Sequence, residues 1–284
     1  MNFCDYFFFS KDPFGETPDT KFFFAASKHL FALENIHSSI TQGRGFSLLI
    51  GEVGMGKTIL SRILASKLQT EAEIALILNP LLGGADLLRE ICQEFGHLSC
   101  EGLNDRQCLN YLNSVLLDNK KRNKKSVLII DEAQILSRNS LELVRLLTNL
   151  ETESQKLLQI ILIGQPELKE TLAQPDLRQL KQRIYRCCSL GPMCAAETAA
   201  YIRHRISCAG GENFIRFDDK ALTLIHEFTR GIPRPINKIC DILLQHAKAE
   251  EIRLIDYAFV KNILGVGSME LKVKRKFPRI WGSL

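Results

Sequence analysis

The chain alternates short apolar runs with longer segments in which apolar residues recur every three or four positions. Most of the short runs lack polar alternation, which is typical of strands covered on both faces. Such strands, separated by helices, predict a parallel α/β sheet. The predicted strands are Phe46–Ile50, Ile74–Leu78, Val127–Ile130, Ile160–Ile163 and Tyr185–Ser189.

Helical periodicity fills the intervals between these strands. An apolar helical face that carries Leu60 and Leu64 comes directly after the loop that follows the first strand. Asn104 with Gln107 has the pattern of a capping box that opens a second helix. A third helix is predicted around Leu141 to Leu150.

After Pro192 the strands stop and only helical patterns remain. Capping and terminating residues divide this region into four predicted helices, which begin near Ala195, Asp218, Pro233 and Asp256. The predicted domains are therefore an α/β core at 1–190, an all-helical lid at 191–265 and a basic tail at 266–284.

The composition fits a globular protein with its own apolar core. Of the 284 residues, 45% are hydrophobic and 24% are charged, so disulfides are not needed for stability. The nine cysteines include no CxxC pair, and their spacing suits neither a disulfide framework nor a zinc site. We expect most of them to be reduced core residues of a cytosolic protein.

The formal net charge of +5 arises at one end of the chain. Residues 271–284 hold five basic residues and no acid, and removing these five from the 37 Lys and Arg leaves 32, equal to the 32 Asp and Glu. We expect this tail to be disordered in isolation, with docking on anionic lipid or a partner as the second interpretation. No apolar run approaches the roughly 20 residues that span a bilayer, so no transmembrane segment is expected.

Residues 51–58 match the GxxxxGK[ST] pattern of a phosphate-binding loop. In such a loop, backbone N–H groups wrap the β-phosphate at a helix N-terminus, Lys57 reaches the β- and γ-phosphates, and the Thr58 hydroxyl ligates Mg²⁺. The preceding strand and following helix favour this over an incidental glycine-rich turn. The predicted ATP-binding residues are Gly51, Glu52, Val53, Gly54, Met55, Gly56, Lys57, Thr58 and Ile59.

A second motif is the apolar strand Val127–Ile130, which ends in Asp131 and Glu132. An aspartate at that strand end is placed to hold Mg²⁺ together with Thr58. The adjacent Glu132 could orient and polarise the attacking water, which favours hydrolysis over passive binding. The plainer alternative is an acidic strand end that only caps the next turn.

Further polar residues are candidates for sensing or assisting hydrolysis. Gln165 ends the next strand, where it could lie between Glu132 and the γ-phosphate or be merely solvated. Arg183, or else Arg178, could be an arginine finger for a neighbouring subunit's nucleotide, or form surface salt bridges. Arg234 begins a helix of the predicted lid and could contact the γ-phosphate.

With these elements in this order, the chain resembles AAA+ ATPases, and more closely the family of general secretion pathway protein A. The resemblance spans about residues 3–265. It rests on DPF (12–14), TPD (17–19), GEVGMGKT (51–58), LILNP (76–80), IIDEAQ (129–134), NLET (149–152), LIGQPEL (162–168), LRQLKQRI (177–184) and GIPRPINKICD (231–241).

The resemblance implies a cytoplasmic ATPase that works with a partner protein to assemble the secretin of type II secretion. It also implies that residues 14–19 lie near the adenine and that Arg234 is the lid sensor. Long family members continue into a membrane-spanning segment and a peptidoglycan-binding region, so this sequence resembles a short form and direct cell-wall contact is in doubt.

The leading hypothesis is an oligomeric, Mg²⁺-dependent ATPase for type II secretion or the related pilus biogenesis. Its expected partners are further copies and an inner-membrane or envelope assembly protein, and its expected location is cytoplasmic or peripheral at the inner membrane. A DNA-associated ATPase, such as a transposition helper, is the less favoured alternative; it is motivated by the basic run 120–125, which also fits a solvated helix end. The third hypothesis is a nucleotide-gated binding module with negligible turnover.

Overall fold

The computed structural model describes residues 2–80, 83–96, 100 and 102–267. Residues 268–284, most of the predicted basic tail, lie outside the described part. The chain forms two compact units. The αβ unit comprises residues 16–193 with 232–234, and the helical unit comprises the residues up to Gly15, Cys194–Gly231 and those from Pro235 on.

The αβ unit is built on a five-stranded sheet whose strands all run parallel. The strand order is β2-β3-β4-β1-β5, so consecutive strands of the chain are not always neighbours. The predicted parallel α/β core is confirmed, and the observed strands differ from the predicted ones by at most two residues at an end. They are β1 Phe46–Ile50, β2 Ala72–Ile77, β3 Lys125–Ile130, β4 Leu158–Gly164 and β5 Arg186–Ser189.

Helices cover both faces of this sheet, and those of the whole described chain are numbered here in order. They are α1 Phe3–Tyr6, α2 Ser27–Thr41, α3 Lys57–Leu68, α4 Gly84–Gly96, α5 Asp105–Lys121, α6 Arg138–Leu147, α7 Pro166–Leu172, α8 Arg178–Gln182, α9 Ala195–Cys208, α10 Asp219–Thr229, α11 Pro233–Ala249 and α12 Tyr257–Gly267. The capping box predicted at Asn104 is present and opens α5.

Successive residues of the central strands point into two separate apolar cores. In β3, Leu128 and Ile130 belong to a core shared with helices α4 to α8. Val127 and Ile129 belong to a second core, which is shared with α2 and α3. A strand buried on both faces needs apolar residues at every position, which explains why the short runs showed no alternation.

The helical unit contains α9 to α12 near their predicted positions, and the chain enters it at Cys194, close to the predicted boundary at 191. The prediction that strands stop after Pro192 is wrong, because two short parallel strands pair in this unit: β6 Arg216–Phe217 and β7 Leu254–Ile255. Each is only two residues long, too short for a periodic pattern to reveal.

Residues up to Gly15, which the predicted domains place in the core, pack instead in the helical unit. Ser10 donates its backbone N–H to the carbonyl of Ala209 at 2.9 Å. The buried Arg205 donates through Nε to the carbonyl of Pro13 and through Nη1 to the hydroxyl of Tyr201, the latter at 2.8 Å. The hydrogen bonds from Ser10 to Ala209 and from Arg205 to Pro13 span almost 200 residues of sequence, so no local pattern predicts them.

All nine cysteines lie in the described part of the chain and are free thiols. Five are buried, as expected of small apolar side chains, whereas Cys187, Cys194 and Cys208 are exposed. Most of the cysteines are therefore core residues, as predicted, and these three are not. None of the described helices combines the length and apolar character needed to cross a membrane.

We expect Gly211→Ala to destabilise the helical unit. A Cβ at Gly211 would lie 1.9 Å from Cε1 of Phe9, whose ring packs 5.7 Å from that of Phe7, so the ring and its neighbours must shift. The expected loss is about 1–3 kcal/mol, typical of overpacking. Urea unfolding followed by circular dichroism measures it.

The matched control is Gly265→Ala on α12, where a Cβ meets no atom within 4 Å. Alanine is the better helix former, so this variant should be neutral or slightly stabilised. An equal loss in both variants would contradict the proposed contact with Phe9.

Candidate nucleotide-binding site

The candidate site lies at the carboxyl ends of the parallel strands. The phosphate loop follows β1, Asp131 follows β3 and Gln165 follows β4. Because β4 lies between β1 and β3, these three chain segments are neighbours. Backbone hydrogen bonds fix the edge: Gly51 N–H to the carbonyl of Gly164 at 3.1 Å, and Asp131 N–H to that of Ile77 at 2.8 Å.

The loop between β1 and α3 has a backbone that depends on glycine. Gly54 and Gly56 have φ of 80° and 84°, in the left-handed region that other residues avoid. Gly54 also admits a neighbour, since a Cβ there would lie 2.7 Å from the Cβ of Arg234. Arg234 donates its backbone N–H to the Gly54 carbonyl at 3.3 Å, so this predicted sensor contacts the loop through its main chain.

Lys57 opens α3 and is only 5% exposed. Its Nζ donates to the carbonyls of Gly51 at 2.8 Å and Glu52 at 3.0 Å. Burial lowers the pKa of this ammonium group, while the charges of Glu132 and Asp131 oppose the decrease. The lysine is therefore a desolvated cation held inside the loop by main-chain oxygens, facing the acidic end of β3.

Asp131 is 1% exposed, and burial raises the pKa of its carboxyl. The Thr58 hydroxyl and the backbone N–H of Glu132, which donates to Oδ1 at 2.8 Å, act in the opposite direction. Among the described residues, Oδ2 of Asp131 has no hydrogen-bond partner. A buried carboxylate oxygen beside a threonine hydroxyl is the oxygen donor set that Mg²⁺ prefers, so these residues fit that ion. No cluster of three or more His, Cys, Asp or Glu suited to a metal occurs in the described chain.

Glu132 has a left-handed backbone, with φ 50° and ψ 34°. Its Oε2 accepts hydrogen bonds from Nε2 of Gln134 at 2.6 Å and from Nε2 of Gln165 at 3.4 Å. The Oε1 atom of Gln134 in turn accepts the backbone N–H of Gln165 at 3.1 Å. The predicted catalytic glutamate thus belongs to a small amide network that joins the ends of β3 and β4.

The other predicted residues occupy varied environments. Val53 is exposed on the loop and Met55 is buried, whereas Ile59 is half-buried on α3. Arg178 is exposed at the start of α8, and Arg183 donates to the hydroxyl of Thr148 at 2.7 Å within its own chain. The arginine-finger role of either residue stays a prediction.

The segment predicted to lie near the adenine is divided between the two units. Phe14 is buried in the helical unit, with the Arg205 guanidinium 5.9 Å from its ring centroid. In the αβ unit, Arg62 of α3 donates to the carbonyl of Pro18 at 3.2 Å, and Asp19 caps the next turn through Lys21 N–H. A role near the adenine stays a prediction for these residues.

Sequence reasoning missed two residues at this site. His29 on α2 is 4% exposed, and its Nε2 donates to the carbonyl of Met55 at 2.9 Å, which braces the phosphate loop from behind. Gln134 stands in the IIDEAQ stretch that carried part of the family resemblance, but no role was assigned to it. The sequence contains no local signal for His29, because its side chain reaches the loop only when α2 packs on α3.

Comparisons with known proteins identify relatives of this chain. A family model described as AAA domain matches residues 40–172. General secretion pathway protein A of Aeromonas hydrophila is 45% identical over 239 residues, which cover 84% of this chain and 44% of that protein. DNA polymerase III subunit gamma of Buchnera aphidicola is 24% identical over 250 residues, covering 87% of this chain and 61% of that one. The chain thus spans about half the length of these relatives.

Solved structures support the fold at low identity. The ORC2 protein of Aeropyrum pernix, in ADPNP–ADP complexes, aligns with a TM-score of 0.68 at 15% identity over 94% of this chain and 75% of that one. Cdc6p of Pyrobaculum aerophilum aligns with a TM-score of 0.62 at 16% identity, over 87% of this chain and 68% of that one. The RuvB Holliday junction branch migration motor of Thermotoga maritima aligns with a TM-score of 0.54 at 18% identity, over 82% of this chain and 67% of that one. Together, the matches show that the chain contains an AAA domain, has the AAA+ fold and is similar, over most of its length, to general secretion pathway protein A.

Proposed function

We propose that this chain binds ATP with Mg²⁺ and hydrolyses it, as an oligomeric assembly ATPase for type II secretion or related pilus biogenesis. The observation that carries the enzymatic part is the pair at the end of β3. Asp131 offers a buried oxygen without a hydrogen-bond partner within the described residues, and Glu132 carries a carboxylate fixed by two side-chain amides.

The charges of the site complement a nucleotide. The buried Lys57 and the backbone N–H groups of the loop supply positive potential for the β- and γ-phosphates. Thr58 and Asp131 would hold Mg²⁺, which supplies neutralisation of phosphate charge when bound. A buried ammonium beside a buried carboxylate costs desolvation energy, and a phosphate–cation pair between them would offset that cost.

Hydrolysis at this site is an attack by water on the γ-phosphorus. Glu132 would orient the water and accept its proton as the new P–O bond forms. The bond between the γ-phosphorus and the bridging oxygen breaks, and its electron pair leaves with ADP. Gln165, whose amide donates to the same glutamate, would respond to loss of the γ-phosphate. Arg183 of a neighbouring subunit would stabilise the transferred phosphoryl group, with Arg178 as the other candidate.

The pathway rests on similarity to general secretion pathway protein A, which is 45% identical over 84% of this chain. Because the chain covers 44% of that protein, its partners and substrates are transferred here only as a proposal. The proposal places the chain in the cytoplasm or on the inner membrane, bound to further copies and to an envelope assembly protein. Arg234, whose main chain holds Gly54, would sense the nucleotide.

One observation favours the alternative of a DNA-associated ATPase. A cleft of about 510 Å³ lies at the amino ends of β1, β3 and β4, away from the candidate site. Five cations and no carboxylate line it: Arg44, Lys120, Lys124, Lys125 and Lys156. Two carboxylates pair with these lysines from outside, Glu73 with Lys124 and Glu151 with Lys156, so an excess of positive charge remains for an anionic ligand.

We expect Glu132→Gln to retain ATP binding and to lose turnover by about 100-fold or more, as on removal of a general base. The substitution keeps the size of the side chain and an oxygen that accepts from Gln134. Fluorescent nucleotide titration measures binding, and steady-state phosphate release measures turnover. Wild-type turnover in this variant would eliminate the mechanism, and negligible turnover in the wild-type protein would favour a nucleotide-gated binding module.

Glu170→Gln, at an exposed position of α7, is the matched control and should behave like the wild-type protein. The Glu132→Gln variant also tests the pathway, because it should trap the ATP-bound complex. A pull-down should then retain a secretin-assembly or pilus-assembly protein. Retention of transposition proteins instead would support the alternative.

We expect Gly54→Ala to weaken nucleotide binding by roughly tenfold, the equivalent of about 1.4 kcal/mol. Its Cβ would both strain a left-handed residue and collide with Arg234, which displaces the loop amides. Gly43→Ala provides the control for strain alone, since Gly43 has φ 68° and a Cβ there meets no atom within 4 Å. Equal affinity losses in the two variants would show that the contact with Arg234 is irrelevant.

The DNA-associated alternative predicts that labelled duplex or single-stranded DNA binds at low salt and is released steeply as salt rises. Lys120→Gln with Lys124→Gln should then reduce both the affinity and the salt slope in fluorescence anisotropy. Lys67→Gln with Lys181→Gln, at exposed positions of α3 and α8, is the control of equal charge change. An absence of binding to either form of DNA at low salt would dismiss this alternative.

A further inference from the structure

Gln134 makes contacts that the proposed catalytic steps do not use. It lies in a single 3₁₀ turn, Ala133–Ile135, directly after Glu132. Its side-chain amide is engaged at both ends: Nε2 donates to Oε2 of Glu132 at 2.6 Å, and Oε1 accepts the backbone N–H of Gln165 at 3.1 Å. One planar amide therefore connects the glutamate after β3 to the backbone that follows β4.

The end of β4 leaves room for this amide. A Cβ at Gly164 would lie 3.1 Å from Oε1 of Gln134, 3.3 Å from its backbone nitrogen and 2.8 Å from Cδ2 of Leu168. Only a residue without a side chain lets the turn after β3 approach this closely. Gly164 thus admits the Gln134 side chain to its position between the two strand ends.

Glu132 needs such a support. A left-handed backbone in a residue other than glycine is strained and persists where the surroundings fix it. The short hydrogen bond from Gln134 to a carboxylate is a charge-assisted one, about twice as strong as a neutral pair. The contact from Gln165 to the same oxygen is longer, at 3.4 Å, so Gln134 provides the firmer hold.

Both amides reach the same carboxylate oxygen. Oε2 receives Gln134 and Gln165, so Oε1 is the oxygen that remains to accept a proton. The carboxylate plane is also restrained, because the other end of the Gln134 amide is tied to the main chain at Gln165. The direction in which Oε1 points is therefore set by Gln134.

We propose that Gln134 is a positioning residue for ATP hydrolysis. Gln134 holds the Glu132 side chain so that Oε1 of Glu132 accepts the proton of the attacking water. This inference rests on the proposed ATPase function and deepens it. In this role Gln134 acts through Glu132 and not directly on the phosphates or the water. A role confined to satisfying the Gln165 N–H is the structural alternative.

Two variants separate the alternatives. Gln134→Met matches the length of the side chain and removes both hydrogen bonds. Gln134→Glu keeps an oxygen for the Gln165 N–H, but it replaces the donor to Glu132 with a like charge. If Gln134 positions Glu132, turnover at saturating ATP should fall about 10- to 100-fold in both variants, with Gln134→Glu at least as impaired. Nucleotide affinity should stay within about threefold of wild type in Gln134→Met.

A structural role gives a different result. Gln134→Glu would then retain near-wild-type turnover and only Gln134→Met would be impaired, which would overturn the inference. Gln69→Glu, an isosteric change at the exposed end of α3, is the control and should leave turnover unchanged. Thermal unfolding of each variant identifies any loss caused by misfolding. If Gln134→Glu does not fold, the double-mutant cycle, which uses Gln134→Met alone, decides between the roles.

A double-mutant cycle completes the test. In the Glu132→Gln background, Gln134→Met should cause little further loss, because the two residues act as one unit. Multiplicative losses in the double variant would show that Gln134 acts independently of Glu132 and would overturn the inference. Failure of the proposed function is separate, since it appears as undiminished turnover in Glu132→Gln alone.

Discussion

The common direction of five parallel strands is the constraint on which the site depends. Their carboxyl ends meet at one edge of the sheet, and the order β2-β3-β4-β1-β5 sets Gln165 between the phosphate loop and Glu132. Ligands of open α/β sheets bind at this edge, next to the point where strand order reverses. Sheet order therefore brings together residues that lie about 75 and 115 positions apart in the chain.

The edge is also where the molecule accepts energetic cost. Lys57 and Asp131 are both buried. Burial lowers the pKa of Lys57 and raises the pKa of Asp131, which in each case favours the neutral form. Glu132 adds a left-handed backbone. Such costs collect at functional sites, where the surrounding structure must fix the groups in place. Here the fixing groups are main-chain carbonyls for Lys57, and Gln134 with Gln165 for Glu132.

The helical unit shows a different form of long-range dependence. Its α9 holds the first 15 residues through Arg205, whose guanidinium contacts Pro13, Tyr201 and Phe14. Continuity of the chain suggested that these residues belong with the strands that follow them. They lie in the helical unit instead, because the buried guanidinium of Arg205 needs hydrogen-bond acceptors and one of these is the carbonyl of Pro13, nearly 200 residues away.

Local patterns were enough to locate the five long strands, most helices, the phosphate loop and the acidic pair, because each depends on periodicity or on spacing within about ten residues. The order of the strands, the two-residue pair β6 and β7, and the place of the N-terminal segment depend on contacts between distant residues, which no local pattern encodes. The same holds within the site. The sequence alone determined that a phosphate loop and a pair of carboxylates exist. Only the tertiary structure decided that His29 holds the loop and that Gln134 holds Glu132, because the packing of helices and strands, and not spacing along the chain, sets these contacts.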